Sequence, residues 1–443
     1  MIVRGGTVVR PEGIVRADLL IEDGVIQTTQ PDLAGDTDII DATGMHIFPA
    51  LIDVHVHFNE PGRTHWEGVA TGSRALAAGG GAAFFDMPLN STPCTVNACE
   101  IDKKRAAFEA ASVADFGIWG GLIPGHLSEM AELADRGVVG FKAFLCDSGL
   151  PEFPRADDLT LWEGLLEAAR LDLPVAVHAE SNELTRELSR RLTAQGRTSV
   201  ADFLTSRPVL AEVEAIQRAA LLAEEAKARL HIVHVSSGRG VVAAAEARSR
   251  GVDISIETCP HYLFFTEDDL ERLGALAKCA PPLRSIHDQN GLWDELLKGS
   301  IDVIASDHSP APPEMKTGDF HRAWGGIAGV QSTLNVLLDR GFHDRGLPLE
   351  RIAELTATCP ARRFRIRNKG SIRIGHDADL ALVDMGAQFT LHEENMAHRH
   401  RISPYAGERF RGVVRRTIRR GETVYVDGQF PVNAGGKLIR PER

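Results

Sequence analysis

Basic residues are short in this chain, and so are tyrosines, paired cysteines and long apolar runs. Lys and Arg number 49 against 61 Asp and Glu, a formal net charge of −12. That balance excludes the basic stripe with which proteins hold nucleic acid, so no nucleic-acid partner is expected. No apolar stretch approaches the roughly 18 residues that mark a membrane helix, so no membrane partner is expected either. The opening Met1-Ile2-Val3-Arg4-Gly5-Gly6 lacks the apolar core of a secretory leader. The expected location is therefore the cytoplasm. Six scattered cysteines contain no Cys-x-x-Cys, which excludes a disulfide framework and a thiolate zinc site. What the chain does have is an ordinary 43% hydrophobic content over 443 residues and 17 histidines. Several of those histidines sit at the ends of apolar runs.

The length suits one large domain and one small one. The first fifty residues and the last seventy read as short strands with Gly- and Asp-containing turns, Asp23-Gly24 among them. The two ends are expected to pair as one small β-sandwich, residues 1–50 plus 370–443, with the middle inserted between them. That middle, 51–369, alternates eight apolar strand-length runs with amphipathic helical stretches. The runs are 47–57, 81–88, 117–123, 138–145, 173–180, 230–236, 252–258 and 301–307. Strand–helix alternation repeated eight times predicts an α/β fold, a parallel (β/α)8 TIM-like barrel. Continuous apolar runs suit strands buried on both faces.

The polar residues of these runs lie near their C-terminal ends, which share one mouth in a parallel barrel. Run one ends in Asp53-Val54-His55-Val56-His57, run four carries Lys142, and run five ends in His178-Ala179-Glu180. Run six ends in His234-Val235-Ser236 and run eight in Ser306-Asp307. His55 and His57, two residues apart on a strand, face the same side. Alone, His-x-His is a weak signal, and His178 or His234 alone suits a packed core position. Four imidazoles at one mouth, each needing a partner, with Asp307 beside them, point to a metal site. Lys142 lies among Phe141, Ala143, Phe144 and Leu145. It reads either as a lysine reaching out to solvent or as a desolvated, neutral amine. A neutral amine takes up carbon dioxide and becomes an N6-carboxylysine, an anion able to bridge two ions. The assembled expectation is two divalent ions: His55, His57 and Asp307 on one, His178 and His234 on the other, carboxylated Lys142 between them. Zinc suits imidazole best, with manganese, cobalt or iron admitted by the oxygen donors. Asp307 is also the expected catalytic acid and base in hydrolysis of an amide-like bond.

This pattern resembles the amidohydrolase superfamily and, within it, the cyclic amidohydrolases: dihydroorotases, hydantoinases (dihydropyrimidinases) and allantoinases. All six positions hold the residue type the resemblance calls for. Four segments resemble the allantoinase branch: His57-Phe58-Asn59-Glu60-Pro61-Gly62-Arg63-Thr64, Asp86-Met87-Pro88-Leu89-Asn90-Ser91, Glu257-Thr258-Cys259-Pro260-His261-Tyr262 and Trp324-Gly325-Gly326-Ile327-Ala328-Gly329-Val330-Gln331. Where dihydroorotases place an Arg for a substrate carboxylate, this chain has Asn59, which suits a neutral, amide-rich ring. Where hydantoinases place a Tyr near the end of the third strand, this chain has Trp119. The resemblance thus implies allantoin as the small-molecule substrate, opened to allantoate, with hydantoinase or dihydroorotase activity as the alternative. A non-catalytic scaffold of the same fold has no reason to keep all six residues. Asn59, Asn90, Cys279 and Ser309 are the expected substrate-binding residues, although Asn90 also suits a turn and Ser309 a helix N-cap. Asp53, on the face of the two histidines, is expected to orient one of them. Glu60 is expected to shape its loop. The resemblance also implies a homotetramer, or a dimer.

Overall fold

The computed structural model describes residues 1–35, 38–316 and 320–442. Near the N-terminus, Gly13–Glu22 turns into Val25–Gln30 through Asp23 and Gly24, whose φ angles are 50° and 80°. A two-residue loop with both φ positive has the twist that antiparallel strands need. Glycine supplies that φ without a Cβ penalty. From the other end of the chain, Leu380–Thr390 pairs antiparallel with His46–Pro49. The two ends therefore share one hydrogen-bonded sheet of eight strands. It is a single sheet that curls, because Val25 near one edge bridges Asp377 just ahead of Leu380–Thr390. Val3, Val8, Leu19, Ile21, Ile47, Leu380, Leu382 and Ile418 pack inside the curl.

Each of the eight apolar runs contributes a strand to a parallel barrel: Leu51–Val56, Gly81–Asp86, Asp115–Ile118, Phe141–Phe144, Val175–His178, Leu230–Ile232, Ile254–Thr258 and Val303–Ile304. Neighbours pair in sequence order, with Gly120–Gly121 joining the third strand to the fourth. Closure is made by a parallel bridge between Val56 and His308 and by the His57 N–H, which donates to the His308 carbonyl at 2.8 Å. The third strand breaks at Trp119, whose indole N–H crosses the barrel to the Val54 carbonyl at 2.9 Å. The sixth and eighth strands are shorter than their apolar runs. His234 and Asp307, at φ 41° and 45°, turn the backbone out of extended geometry soon after the last paired residue.

Side chains alternate across the barrel wall as a strand requires. Phe141, Val175, Val177, Leu230, Ile232 and Ile256 pack outward against the helices. Ala83, Phe85, Trp119, Val139, Ala176, Val233 and Val303 pack in a second cluster that Phe364 joins. On the first strand the alternation changes phase. Ile52 and Val54 belong to that second cluster, whereas Val56 and Phe58 belong to the outer one. The register shift between Asp53 and Val56 accounts for the switch, a bulge of the kind that re-aims side chains beside functional sites. It turns His55 and His57 to the barrel interior. One buried ammonium locks barrel to sheet: Lys369 Nζ lies 2.9, 2.8 and 2.6 Å from carboxylates of Asp115, Asp377 and Asp379. Among the described residues, no helix is long and apolar enough to cross a membrane.

Candidate metal centre

The barrel mouth brings the six expected ligands together. His55 Nε2 and His57 Nε2 lie 3.2 and 3.3 Å from the same oxygen, Asp307 Oδ1. The His55 ring is 5.5 Å from His57 and 5.4 Å from His234, which is 4.6 Å from His178, centroid to centroid. Lys142 is fully buried and its Nζ has no hydrogen-bond partner; His234 Nδ1 is likewise buried and unpartnered. Burial pushes the Lys142 ammonium down to about 8 against the pull of the Asp307 and Glu257 carboxylates. Burial, His178 and Lys142 hold His234 well below its ordinary value, so its imidazole is neutral. Burial alone would raise Asp307, but His55 and a hydrogen bond from His57 outweigh it and keep the carboxylate ionised. Imidazoles at His55 and His234 that burial holds below their ordinary value, an ionised carboxylate and a deprotonable amine form a donor set that fits borderline divalent cations; burial also lowers His178, but Cys146 and Glu180 outweigh it and raise it to about 9. The orphaned Nζ and Nδ1 are atoms that such cations, and a carboxylated lysine, would satisfy. His234 and Asp307 hold left-handed backbone conformations that a non-glycine residue rarely adopts. Such strain is characteristic of functional sites.

A layer of carboxylates that received no role from the sequence fixes the rings. Glu257 Oε1 accepts the His55 Nδ1–H at 2.8 Å and the His234 backbone N–H at 3.1 Å, while Oε2 accepts from His231 Nε2 at 3.0 Å. This leaves His55 Nε2 as the free nitrogen facing Asp307. Burial raises the Glu257 carboxyl, but His55 and His231 overcome it and bring it down to about 2. His178 Nε2 lies 2.8 Å from Glu180 Oε2, which also pairs with Arg207. The His178 ring stacks on Phe144 at 4.5 Å and 12°. Asp53 does not reach an imidazole. Its carboxylate accepts the backbone N–H groups of His55 and Ser306 at 3.1–3.2 Å, clamping the first strand to the eighth. Ring orientation, expected of Asp53, falls to Glu257. A signal was present: Glu257 and His231 interrupt apolar runs at inward-facing positions. Glu60 accepts the Val69 N–H at 2.8 Å at the start of the first barrel helix, the loop-shaping role expected of it.

A cavity of about 460 Å3 opens over these residues, lined by His55, His57, His178, His234, Asp307, Asn90, Cys279 and Ser309 among others. Asn90, at φ 70°, donates from Nδ2 to Ser309 Oγ at 3.2 Å, so the two form one polar pair on the wall. Burial pushes the Cys279 thiol up to about 12, leaving it neutral. Asn59 is buried and is not part of that wall; its Nδ2 donates to the Pro310 carbonyl at 3.3 Å and its Oδ1 has no partner. Two further lysines, without a role in the sequence reading, hold the loop that carries Trp324, Gly325 and Gly326 to the rim. Lys278 Nζ donates to the carbonyls of Phe320, His321 and Ala323 at 2.7–3.0 Å. Lys316 Nζ donates to those of Ala275, Trp324 and Gly326.

Comparison with known proteins agrees with this geometry. Residues 46–424 match the model of the amidohydrolase family. The chain is 65% identical to the allantoinase of Solibacter usitatus over 442 residues, covering 100% of this chain and 97% of the relative. It is 55% identical to that of Rubrobacter xylanophilus, covering 100% and 98%. Among solved structures, the L-hydantoinase (dihydropyrimidinase) from Arthrobacter aurescens superposes with a TM-score of 0.96 at 33% identity, covering 99% of each chain.

Proposed function

The chain belongs to the amidohydrolase family, and from that premise we propose that it hydrolyses allantoin to allantoate by opening the cyclic amide of the hydantoin ring. The reading is carried by one observation: four imidazoles, a carboxylate and a buried amine without a hydrogen-bond partner converge at a single barrel mouth. Full-length identity to relatives named allantoinase supports the choice of substrate. His55, His57 and Asp307 would hold one divalent ion and His178 and His234 another, with Lys142, as the N6-carboxylate, between them. When bound, such ions lower the pKa of water and polarise the scissile carbonyl. Zinc is the metal proposed, with manganese, cobalt or iron as substitutes.

The protein's own groups do the rest. Asp307, kept ionised by its imidazole neighbours, takes the proton of the attacking water on a carboxylate oxygen and delivers it to the leaving ring nitrogen. Asn90 and Ser309 present an amide and a hydroxyl to the ring and its ureido group. Cys279, a neutral thiol, adds no charge to its part of the wall. Asn59 acts from behind the wall by holding the Pro310 carbonyl. Trp119 spends its N–H on Val54, and so does not replace a tyrosine hydroxyl as an oxyanion donor. Cytoplasmic residence and a homotetrameric or dimeric assembly belong to the same reading.

The test is turnover of allantoin by metal-replete protein beside hydantoin, dihydrouracil and dihydroorotate. Allantoin hydrolysis well above the other three is expected. Preference for hydantoin or dihydrouracil would keep the site chemistry and move the substrate to that of the hydantoinase neighbour. No turnover of any ring with metal bound would overturn the reading.

A further inference from the structure

Asp307 sits at φ 45°, and its backbone makes no hydrogen bond among the described residues. Its neighbour His308 supplies the hold. The His308 N–H donates to Ser306 Oγ at 3.1 Å, and its carbonyl accepts the His57 N–H at 2.8 Å. The His308 side chain is fully buried and gripped from two sides. Nδ1 accepts the Gly329 N–H at 3.1 Å and lies 3.4 Å from the Val330 nitrogen. A ring nitrogen that accepts carries no proton, so the proton is on Nε2. Nε2 lies 3.7 Å from Oε2 of Glu67, itself fully buried. Both jaws of this clamp are held by the sheet formed from the chain ends. The loop 391–408, between Leu380–Thr390 and Arg409–Arg419, crosses the barrel rim. Its Arg399 N–H donates to the Glu67 carboxylate at 3.1 Å and its Arg399 Nε to the Glu67 carbonyl at 2.6 Å. On the other jaw, Ser403 Oγ donates to the Ala328 carbonyl at 2.6 Å, and Gln331 Oε1 accepts the Ala397 N–H at 2.9 Å. None of these residues lines the cavity over the centre.

We propose that His308 is a positioning residue, clamped between Glu67 and Gly329 to hold Asp307 in aim, and that loop 391–408 of the sheet closes the clamp. The inference rests on the reading above that Asp307 takes and delivers the proton. Asp307 Oδ1 meets two imidazoles at 3.2 and 3.3 Å, so a turn of the 307–308 backbone spoils both contacts at once. A misplacement of about 1 Å, caused away from the chemistry, can cost about 100-fold in rate. Glu67→Gln perturbs the clamp without emptying it. In either orientation its amide sets an N–H against a donor, Arg399 N–H or His308 Nε2–H. His308 cannot answer by moving its proton, because Nδ1 is held by the Gly329 N–H.

The experiment compares Glu67→Gln, His308→Asn and His308→Leu with wild type. In Asn, Oδ1 takes the place of Nδ1 and keeps the Gly329 bond; Leu fills similar space and keeps neither contact. For allantoin, kcat should fall about ten-fold or more in Glu67→Gln and His308→Leu and less in His308→Asn, with KM within about two-fold of wild type. In protein loaded with cobalt to equal content, the visible absorption band, which reads the geometry of the proposed ligands including Asp307, should shift in the same order. Should His308→Leu fail to fold, Glu67→Gln and His308→Asn carry the comparison. A lowered urea midpoint with kcat and band unchanged in the folded variants would reduce the clamp to packing and overturn the proposal. No turnover of any cyclic amide by wild type, with the band still moved in the variants, would sustain the hold on Asp307 and refute the functional reading alone.

Discussion

Glu257 is the residue whose removal should separate metal retention from mere packing. Its two oxygens receive three donors: His55 Nδ1–H, the His234 N–H and His231 Nε2–H. In Glu257→Gln, the amide oxygen can keep the first two, both of which use Oε1. The amide NH2 then faces His231, which can shift its proton to Nδ1 and donate to Ser255 Oγ, 2.8 Å away. Gln therefore preserves the His55 tautomer and loses only the charge. Glu257→Leu fills similar space but frees the His55 ring to rotate and to protonate Nε2. Loss of a partner behind a metal-ligating histidine lowers metal affinity or activity by about 10–100-fold, or about 1.4–2.7 kcal/mol. Gln is expected near the bottom of that range and Leu near or beyond the top. The assay is metal content after dialysis against a graded chelator series, with allantoin turnover read on the same samples. Full metal and full turnover in Glu257→Leu would refute the reasoning. Equal losses in Gln and Leu would show that charge, and not the His55 tautomer, is what Glu257 supplies.

Lys142→Ala should abolish turnover, with partial rescue by a short carboxylic acid that replaces the lost bridge; unchanged activity would remove Lys142 from the centre. Lys369→Met removes the ammonium that Asp115, Asp377 and Asp379 share, leaving the buried Asp379 without it and Asp115 with Arg420 alone. A loss of about 3–5 kcal/mol is expected in urea unfolding, with turnover of the folded fraction unchanged. Burial raises Asp53 from 3.8 to about 7. The folded state thus binds more protons than the unfolded chain between those values, and this carboxyl subtracts stability as pH rises from 4 to 7. Asp53→Asn, whose Oδ1 can still accept from His55 and Ser306, should therefore gain stability relative to wild type over that interval. A pH-independent difference between their urea midpoints would contradict the assignment.

The eight strands were legible because a strand buried on both faces must be apolar along its length. The six proposed ligands were legible because they are the residues that break those runs at their C-terminal ends. What escaped has physical reasons. A register argument places His55 and His57 on one face but cannot see the bulge that turns that face inward, since the bulge depends on how Gly81–Asp86 pairs with the first strand. Nor can it choose between Asp53 and Glu257 as the partner of His55, because that depends on which neighbouring strand lies across the barrel. Asn59 was read as a substrate contact from its motif. The structure places it behind the wall, because its φ of 64° turns the chain away at the end of the first strand. Lys278 and Lys316 carry no pattern at all: their partners are backbone carbonyls of the loop that ends near Gly326, contacts made only once it has folded.

The two kinds of residue differ in what a change to them reports. The proposed ligand set stands on the barrel strands or within three residues of their C-terminal ends, so its position follows from the barrel. The residues proposed to choose the substrate stand on loops fastened by polar contacts: Asn90 against Ser309, Arg63 donating to the Asn90 carbonyl at 2.9 Å, and the two lysines gripping the rim. Such contacts can be exchanged without touching the barrel. Specificity in this protein is therefore to be sought in the loops after the first, second and eighth strands, and reaction type in the strand ends beneath them.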